Sequence, residues 1–550
     1  MSRRWMSVIG VVIVAGLAGW AAFERYWYYI PGVIGRLKDP IGPTQQVAWQ
    51  AGPAEAATGE RPPNVVVILA DDLGWNDISF NGGGVANGAV PTPHINSIGH
   101  AGVSFSQAYA GDATCAPSRA AIMTGRYATR FGFEFTPAPK QFSKLIATFG
   151  EGKLPAFYHA ERAEDFPANL GDLAVPTSEV MIGDIMKKAG YHTIMLGKWH
   201  LGGTPATAPE ARGFDEALAF YDGASMYLDE GDPRAENSKQ DFDPIDKFLW
   251  ANLPFAVRYN GGKRFEPDVY MTDYLGREAV RAIDANKNRP FFMYLAFNAV
   301  HNPLQALKAD YDALSNIPDH RLRVYGAMVR SLDRNVGLVL DALKRNGLDD
   351  NTLVIFTSDN GGANYIGLPD INKPFRGWKA TFFEGGIHVP FFVKWPGRAP
   401  ADAKFDKPIG HVDIFATAAA AAAAHAPTDR TLDGVDLMPF ARGEANGDPH
   451  KTLYWRDGEY RVLLEDGWKL QSAERPRKNW LYNLAIDPTE QNNLAESMPD
   501  KVADLQKELA QIDKQQVKPL WPSLLEGPIF IDTPLGTPPK KDGEYIYWAN

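Results

Sequence analysis
Asn64-Val65-Val66-Val67-Ile68-Leu69-Ala70, followed at once by Asp71-Asp72, decides how the chain folds. Four consecutive β-branched side chains, with no polar residue after Asn64, read as a strand buried on both faces of a parallel sheet. The same character recurs further along, at residues 191–196, 290–297 and 352–357, and helical patterns fill 178–189, 270–285 and 320–345. That alternation predicts an α/β fold with a large mixed, mostly parallel sheet flanked by helices. Near residue 440 the character changes. Residues 452–456, 460–464 and 468–472 read as short strands, joined by the turn pairs Asp457-Gly458 and Asp466-Gly467. A polar helix over 499–515 follows, so the C-terminus reads as a small α+β domain. The alanine tract 418–424 reads as plain helix.

Outward in the other direction, residues 31–62 are rich in Pro, Gly, Ala and Gln and read as a linker. Before them, Arg3-Arg4 precedes an apolar run over residues 6–23 whose one clearly polar side chain is Ser7. As a helix it would span roughly 27 Å, enough for a bilayer core. Glu24-Arg25-Tyr26-Trp27-Tyr28-Tyr29 then resembles an interfacial aromatic belt. The expectation is a signal anchor with the body outside the cytoplasm, periplasmic or extracellular; cleavage would release a soluble exported form. The expected organisation is therefore 1–30 membrane segment, 31–62 linker, 63–440 main α/β domain and 441–550 small C-terminal α+β domain.

Composition sets limits on function. The 550 residues include one cysteine, which excludes internal disulfides and Cys-rich zinc modules. The net charge of -10 argues against a nucleic-acid partner, and any anionic ligand must be caught by a local positive cluster.

Chemistry-bearing residues gather where the buried runs end. Asp71-Asp72 closes the first run and Asp359-Asn360 follows the run at 352–357. Carboxyl ends of parallel strands share one edge, where ligands bind. Four hard oxygen donors there suit Ca2+ or Mg2+ and not zinc. Lys198 and His200 end another run, two residues apart on one side of an extended chain. His301 follows a third run, and Lys379 lies shortly after the second acidic pair.

The lone cysteine lies in Thr114-Cys115-Ala116-Pro117-Ser118-Arg119, with Thr124-Gly125-Arg126 shortly after. This resembles the sulfatase signature. The resemblance continues in Ala70-Asp71-Asp72-Leu73-Gly74-Trp75-Asn76, Gly197-Lys198-Trp199-His200-Leu201-Gly202, Asn298-Ala299-Val300-His301-Asn302-Pro303, Ser358-Asp359-Asn360-Gly361-Gly362 and Phe383-Glu384-Gly385-Gly386. The chain is similar to the arylsulfatase B-like branch of that formylglycine-dependent family, from about residue 63 to 488.

The resemblance implies an alkaline phosphatase-like fold. It implies that Cys115 is converted to formylglycine by a maturation enzyme. One Ca2+, rather than Mg2+, would be held by Asp71, Asp72, Asp359, Asn360 and residue 115. Arg119, Lys198, His200, His301 and Lys379 would be the active-site cations and proton-transfer groups. The implied reaction is hydrolysis of an aryl sulfate or a sulfated sugar to an alcohol and inorganic sulfate. A hydrated aldehyde carries two hydroxyls on one carbon, so attack on sulfur and expulsion of sulfate become two easier steps. Two other readings compete: a phosphonate monoester or phosphodiester hydrolase of the same fold, and a non-catalytic membrane-tethered ion- or glycan-binding protein with Cys115 unmodified.

Overall fold
The computed structural model describes residues 16–17, 19–20, 25–149 and 154–550. The apolar run at 6–23 lies mostly outside the described residues. Among the described residues, no helix is long and apolar enough to cross a membrane.

The quoted stretch is strand β1, Asn64–Ala70, and it lies inside a nine-stranded sheet. The other strands, in chain order, are β2 Val103–Phe105, β3 His192–Lys198, β4 Glu216–Phe220, β5 Arg258–Tyr259, β6 Phe291–Ala296, β7 Thr352–Ser358, β8 Phe391–Lys394 and β9 Ala403–Phe405. They lie in the order β9-β2-β8-β7-β1-β6-β3-β4-β5. The central run β7-β1-β6-β3-β4 is parallel, whereas β8 and β5 are antiparallel to their neighbours.

Both faces of β1 are buried. Val66, Ile68 and Ala70 belong to one apolar cluster, and Val65, Val67 and Leu69 to the other. The β-branched residues therefore alternate between two helical layers, as the strand's period of two requires. The helices that matter here are α1 Ile30–Lys38, α2 Cys115–Thr124, α3 Pro244–Asn252, α4 Met271–Asn286 and α5 His320–Arg345. Helix α5 starts where Asp319 accepts a hydrogen bond from the Leu322 amide, a side-chain cap that satisfies an otherwise orphaned donor.

The stretch read as a linker is packed on the domain. It carries α1, Gly42 bridges to Phe265, and Val47 is buried. The C-terminal part holds an antiparallel sheet of four strands, β10 Thr452–Asp457, β11 Tyr460–Glu465, β12 Trp468–Glu474 and β13 Arg477–Asn483, with α6, Pro499–Asp513, against it. Asp466 and Gly467 both take positive φ, the backbone that a two-residue hairpin loop needs. The first loop is Gly458-Glu459, one residue later than its turn pair suggested. Strand β13 gave no sequence signal, because its Arg477-Lys478-Asn479 start lacks β-branched residues.

Candidate active site
Strand ends converge as the pattern predicts. In register, Ala70 pairs with Ser358, which sets Asp71-Asp72 beside Asp359-Asn360. The Asp72 amide donates to Asp359 Oδ1 at 3.1 Å, and Asn360 Nδ2 donates to Asp72 Oδ1 at 2.8 Å. Cys115 opens α2 and is buried, with Sγ 3.6 Å from Asp71 Oδ1 and 3.8 Å from Asp72 Oδ1.

Three cations close the site. Lys198 Nζ lies 2.7 Å from Asp71 Oδ2. Arg119 Nε donates to Asp359 Oδ2 at 2.9 Å, one helical turn beyond Cys115. Lys379 Nζ sits between Asp72 Oδ2 at 2.9 Å and Cys115 Sγ at 3.0 Å. His301 Nε2 is 3.6 Å from Asp72 Oδ2. His200 lines the same cavity as Cys115, His301 and Lys379, and its Nε2 is 3.3 Å from the Pro137 carbonyl. Every residue predicted for the site is thus brought to this one edge.

Burial sets the electrostatics. It pushes the Cys115 thiol up to about 12, against Lys198 and Lys379. The unmodified residue is therefore a neutral thiol near pH 7, a poor nucleophile. Burial also raises the Asp71 carboxyl to about 7, beyond what Lys198 can offset. Burial would raise Asp72 too, but Lys379 and His301 beside it hold that carboxyl well below the usual range. For Lys379 the carboxylate of Asp72 outweighs burial, and the ammonium stays charged. Burial, reinforced by Lys379, lowers His301 to about 3, and burial with Lys198 carries His200 well below its ordinary value.

One ligand atom each from Asp71, Asp72, Cys115 and His301 lie within 4.8 Å of one another, a group able to hold a metal ion. The oxygen set of Asp71, Asp72, Asp359 and Asn360 fits a hard divalent cation better than a set containing imidazole. Asn360 supports this choice. Its Nδ2 is engaged by Asp72 and by the Gly361 carbonyl, whereas its Oδ1 is buried without any partner. A buried acceptor left open in this way is unusual unless a ligand completes it.

Three contributors escaped the sequence reading. Ser118 Oγ donates to the Asp359 carbonyl at 2.6 Å and lies 3.0 Å from His411 Nδ1. His411 is buried and reaches Thr357 Oγ1 through Nε2. Tyr365 donates its hydroxyl to Asp72 Oδ2 at 3.2 Å. Ser118 sits inside the cysteine motif and could have been flagged; His411 and Tyr365 stand in no motif that marks them.

A nine-stranded α/β sheet with a buried cysteine, acidic residues and cations at the carboxyl edge has the architecture of an alkaline phosphatase-like hydrolase. Comparison with known proteins narrows this class. The family model described as Sulfatase matches residues 63–424, and the chain belongs to that family of sulfuric ester hydrolases. The N-acetylgalactosamine-6-sulfatase of Mus musculus is 32% identical over 410 residues, covering 73% of this chain and 70% of that protein. The Steryl-sulfatase of Mus musculus is 31% identical over 474 residues, covering 74% and 69%. Among solved structures, Ps i-CgsB in complex with k-i-k-neocarrahexaose is 31% identical with a TM-score of 0.69, covering 84% of this chain and 95% of that one.

Proposed function
We propose that this sulfatase hydrolyses sulfate monoesters of the aryl type through a formylglycine made from Cys115, with one Ca2+ bound beside it. The observation that carries the reading is the placement of Cys115 Sγ, 3.0 Å from Lys379 Nζ and against Asp71 and Asp72. That sulfur stands where the oxygens of a hydrated aldehyde would sit. Converted to the aldehyde hydrate, residue 115 would supply one hydroxyl oxygen to take the sulfuryl group and a second hydroxyl whose proton loss re-forms the aldehyde, breaking the carbon–oxygen bond to the sulfated oxygen and releasing sulfate. Asp71, Asp72, Asp359 and Asn360 would hold the cation, which supplies positive charge to the sulfate oxygens.

The remaining roles follow from the chain's own groups. Asp359, kept ionised chiefly by Arg119 against its burial, is the acceptor for the proton of the attacking hydroxyl. Arg119 and Lys198 fix the carboxylates and orient residue 115. Lys379 remains protonated and so carries the proton needed by the leaving oxygen. His301 Nδ1 faces the Asn302 carbonyl, which turns Nε2 toward that same oxygen. An anionic ester alongside would raise His301 and let it share the role. His200 assists the release of sulfate.

The natural ester could resemble those named for its relatives, a sulfated amino sugar or a sterol sulfate. A formylglycine-generating enzyme is the required partner. Arg3-Arg4 and the apolar run at 6–23 support a body held outside the cytoplasm by its N-terminus.

Cys115→Ser tests the mechanism directly. A sulfated serine has no second hydroxyl to expel sulfate, so the variant should release at most one alcohol per active site in a rapid-mixing assay. Continuous turnover at the wild-type rate would sink the proposal.

A further inference from the structure
The reacting groups open into a single cavity of about 490 Å3, within the range of pockets that enclose a drug-sized ligand. Cys115, His200, His301 and Lys379 line one part of it. An ester whose sulfate reaches Cys115 must therefore place its leaving group against the remaining walls.

Those walls are mostly hydrocarbon. Phe142, Ile146, Ile245, Phe248, Leu249 and Ile529 are among them. They come from α3, from the helix Lys140–Phe149 and from the strand Leu525–Phe530 in the C-terminal tail. Polar residues do line the cavity, but several are already engaged. Asp243 accepts from the Ile245 and Asp246 amides. Asn252 donates to the Tyr28 and Phe248 carbonyls and accepts from the Gly32 amide. Asn550 Oδ1 accepts from the Thr136 amide. Arg264 is paired with Asp39. Thr136 Oγ1 is buried without a partner, and Arg36 and Asp222 also line the cavity, so a polar group can be met at a few points; over most of the wall a sugar ring's hydroxyls would find no partner, a poor exchange for their hydration. An apolar body would lose only water.

Helix α1 forms one side of the cavity through Pro31, Gly32, Gly35 and Arg36. Away from it, Ile30, Val33, Ile34 and Leu37 are solvent-exposed, Leu37 by 78%. The apolar run at 6–23 ends just before this helix. A helix with an exposed apolar face beside such a run fits a lipid surface.

We propose that the preferred substrate is an amphiphilic sulfate ester, a sulfate head on a bulky hydrocarbon alcohol or phenol, drawn from a lipid surface on which α1 rests. This rests on the sulfatase reading above and specifies its leaving group.

The test is a series of 4-alkylphenyl sulfates, which lengthen the chain at nearly constant phenol acidity, run beside a 6-sulfated N-acetylhexosamine. With the mature enzyme, kcat/KM should climb by up to about fourfold per methylene until the cavity fills, and the sugar sulfate should be the poorest substrate. A flat series, or a preferred sugar sulfate, overturns the proposal while leaving the sulfatase reading intact. Failure on every ester, phenyl sulfate included, sinks that reading and the proposal with it.

Gly35→Trp provides a second check, because a Cβ there meets nothing within 4 Å and the residue lines the cavity, so the indole has a route into it. It should erase most of the advantage of the longer chains; an unchanged slope would count against the cavity as the binding place. For the source, Val33→Asp combined with Leu37→Asp should slow turnover of an ester carried in phosphatidylcholine vesicles more than turnover of the dissolved ester. Equal slowing overturns the lipid source.

Discussion

Two of the clusters of buried charge among the described residues are built differently. One is the active-site edge. The other lies where the Phe383-Glu384-Gly385-Gly386 segment meets the C-terminal sheet. There Lys469 Nζ pairs with Glu384 Oε1 at 2.6 Å and Glu490 Oε1 at 3.1 Å. Glu384 Oε2 also meets His388 Nδ1 at 2.7 Å and accepts from the Tyr109 hydroxyl at 3.2 Å. Glu490 Oε2 accepts from the Glu384 amide, and Gln471 Nε2 donates to Glu490 Oε1. Among the described residues, no buried side-chain polar atom of this second network lacks a partner, whereas Asn360 Oδ1 and His200 Nδ1 at the active site do. A closed network of this kind is structural, and an open one is prepared for something that arrives later.

The comparison breaks most visibly when one lysine is removed from each cluster. With Ca2+ present, Lys198→Met should lower kcat by roughly 10²–10³, the loss expected for one preorganised charge-stabilising group, with the fold retained. Lys469→Met leaves two buried carboxylates without their cation. It should lower stability by about 3–5 kcal/mol in denaturant melts, with kcat per folded molecule changing only a few-fold. If both variants lost rate equally per folded molecule, the two clusters would not differ in role.

A divalent chelator sharpens the difference at the next scale. It should abolish turnover and lower Tm, because a ligand at about 100 times its Kd adds about 2.7 kcal/mol to the folded state. Asn360→Leu should lose most of that Ca2+-dependent gain in Tm. A Tm indifferent to Ca2+ in the wild type would argue against the oxygen site.

The smallest effect expected is a pH dependence from the closed cluster. Burial pushes Glu490 up to about 7 despite Lys469. Burial would raise Glu384 as well, but Lys469 and then His388 hold it at about 2. A carboxyl raised from its ordinary 4.5 favours folding below that value, and the benefit fades as pH climbs through about 7. Glu384 acts in the opposite sense: its contribution is present above 4.5 and is lost as pH falls toward 2. Relative to wild type, Glu490→Gln should therefore gain Tm as pH rises through about 7. Parallel Tm curves for the two proteins would contradict this assignment.

The same contrast explains what the sequence made legible. The active-site edge could be read because each of its members ends a buried run or sits in a motif: Asp71-Asp72 after β1, Lys198 at the end of β3, and Asp359-Asn360 after β7. Parallel strands then bring those ends together without further information. The closed cluster could not be read. Lys469 looks like an ordinary charge on a hairpin strand and Glu490 like a loop residue; only tertiary packing puts both against Glu384. His411 and Tyr365 were missed for the same reason. Helix α1 was hidden by the Pro31-Gly32 pair and Gly35, which lower local helix propensity, yet Pro31 is well placed in a first helical turn.

The central claim is that residue 115 works as an aldehyde and not as a thiol. The most direct measurement sets the fraction of formylglycine at position 115, from peptide mass spectrometry, against specific activity on an aryl sulfate across preparations with varied maturation. The account predicts a straight line through the origin. Full activity in protein whose Cys115 remains an intact thiol would contradict it.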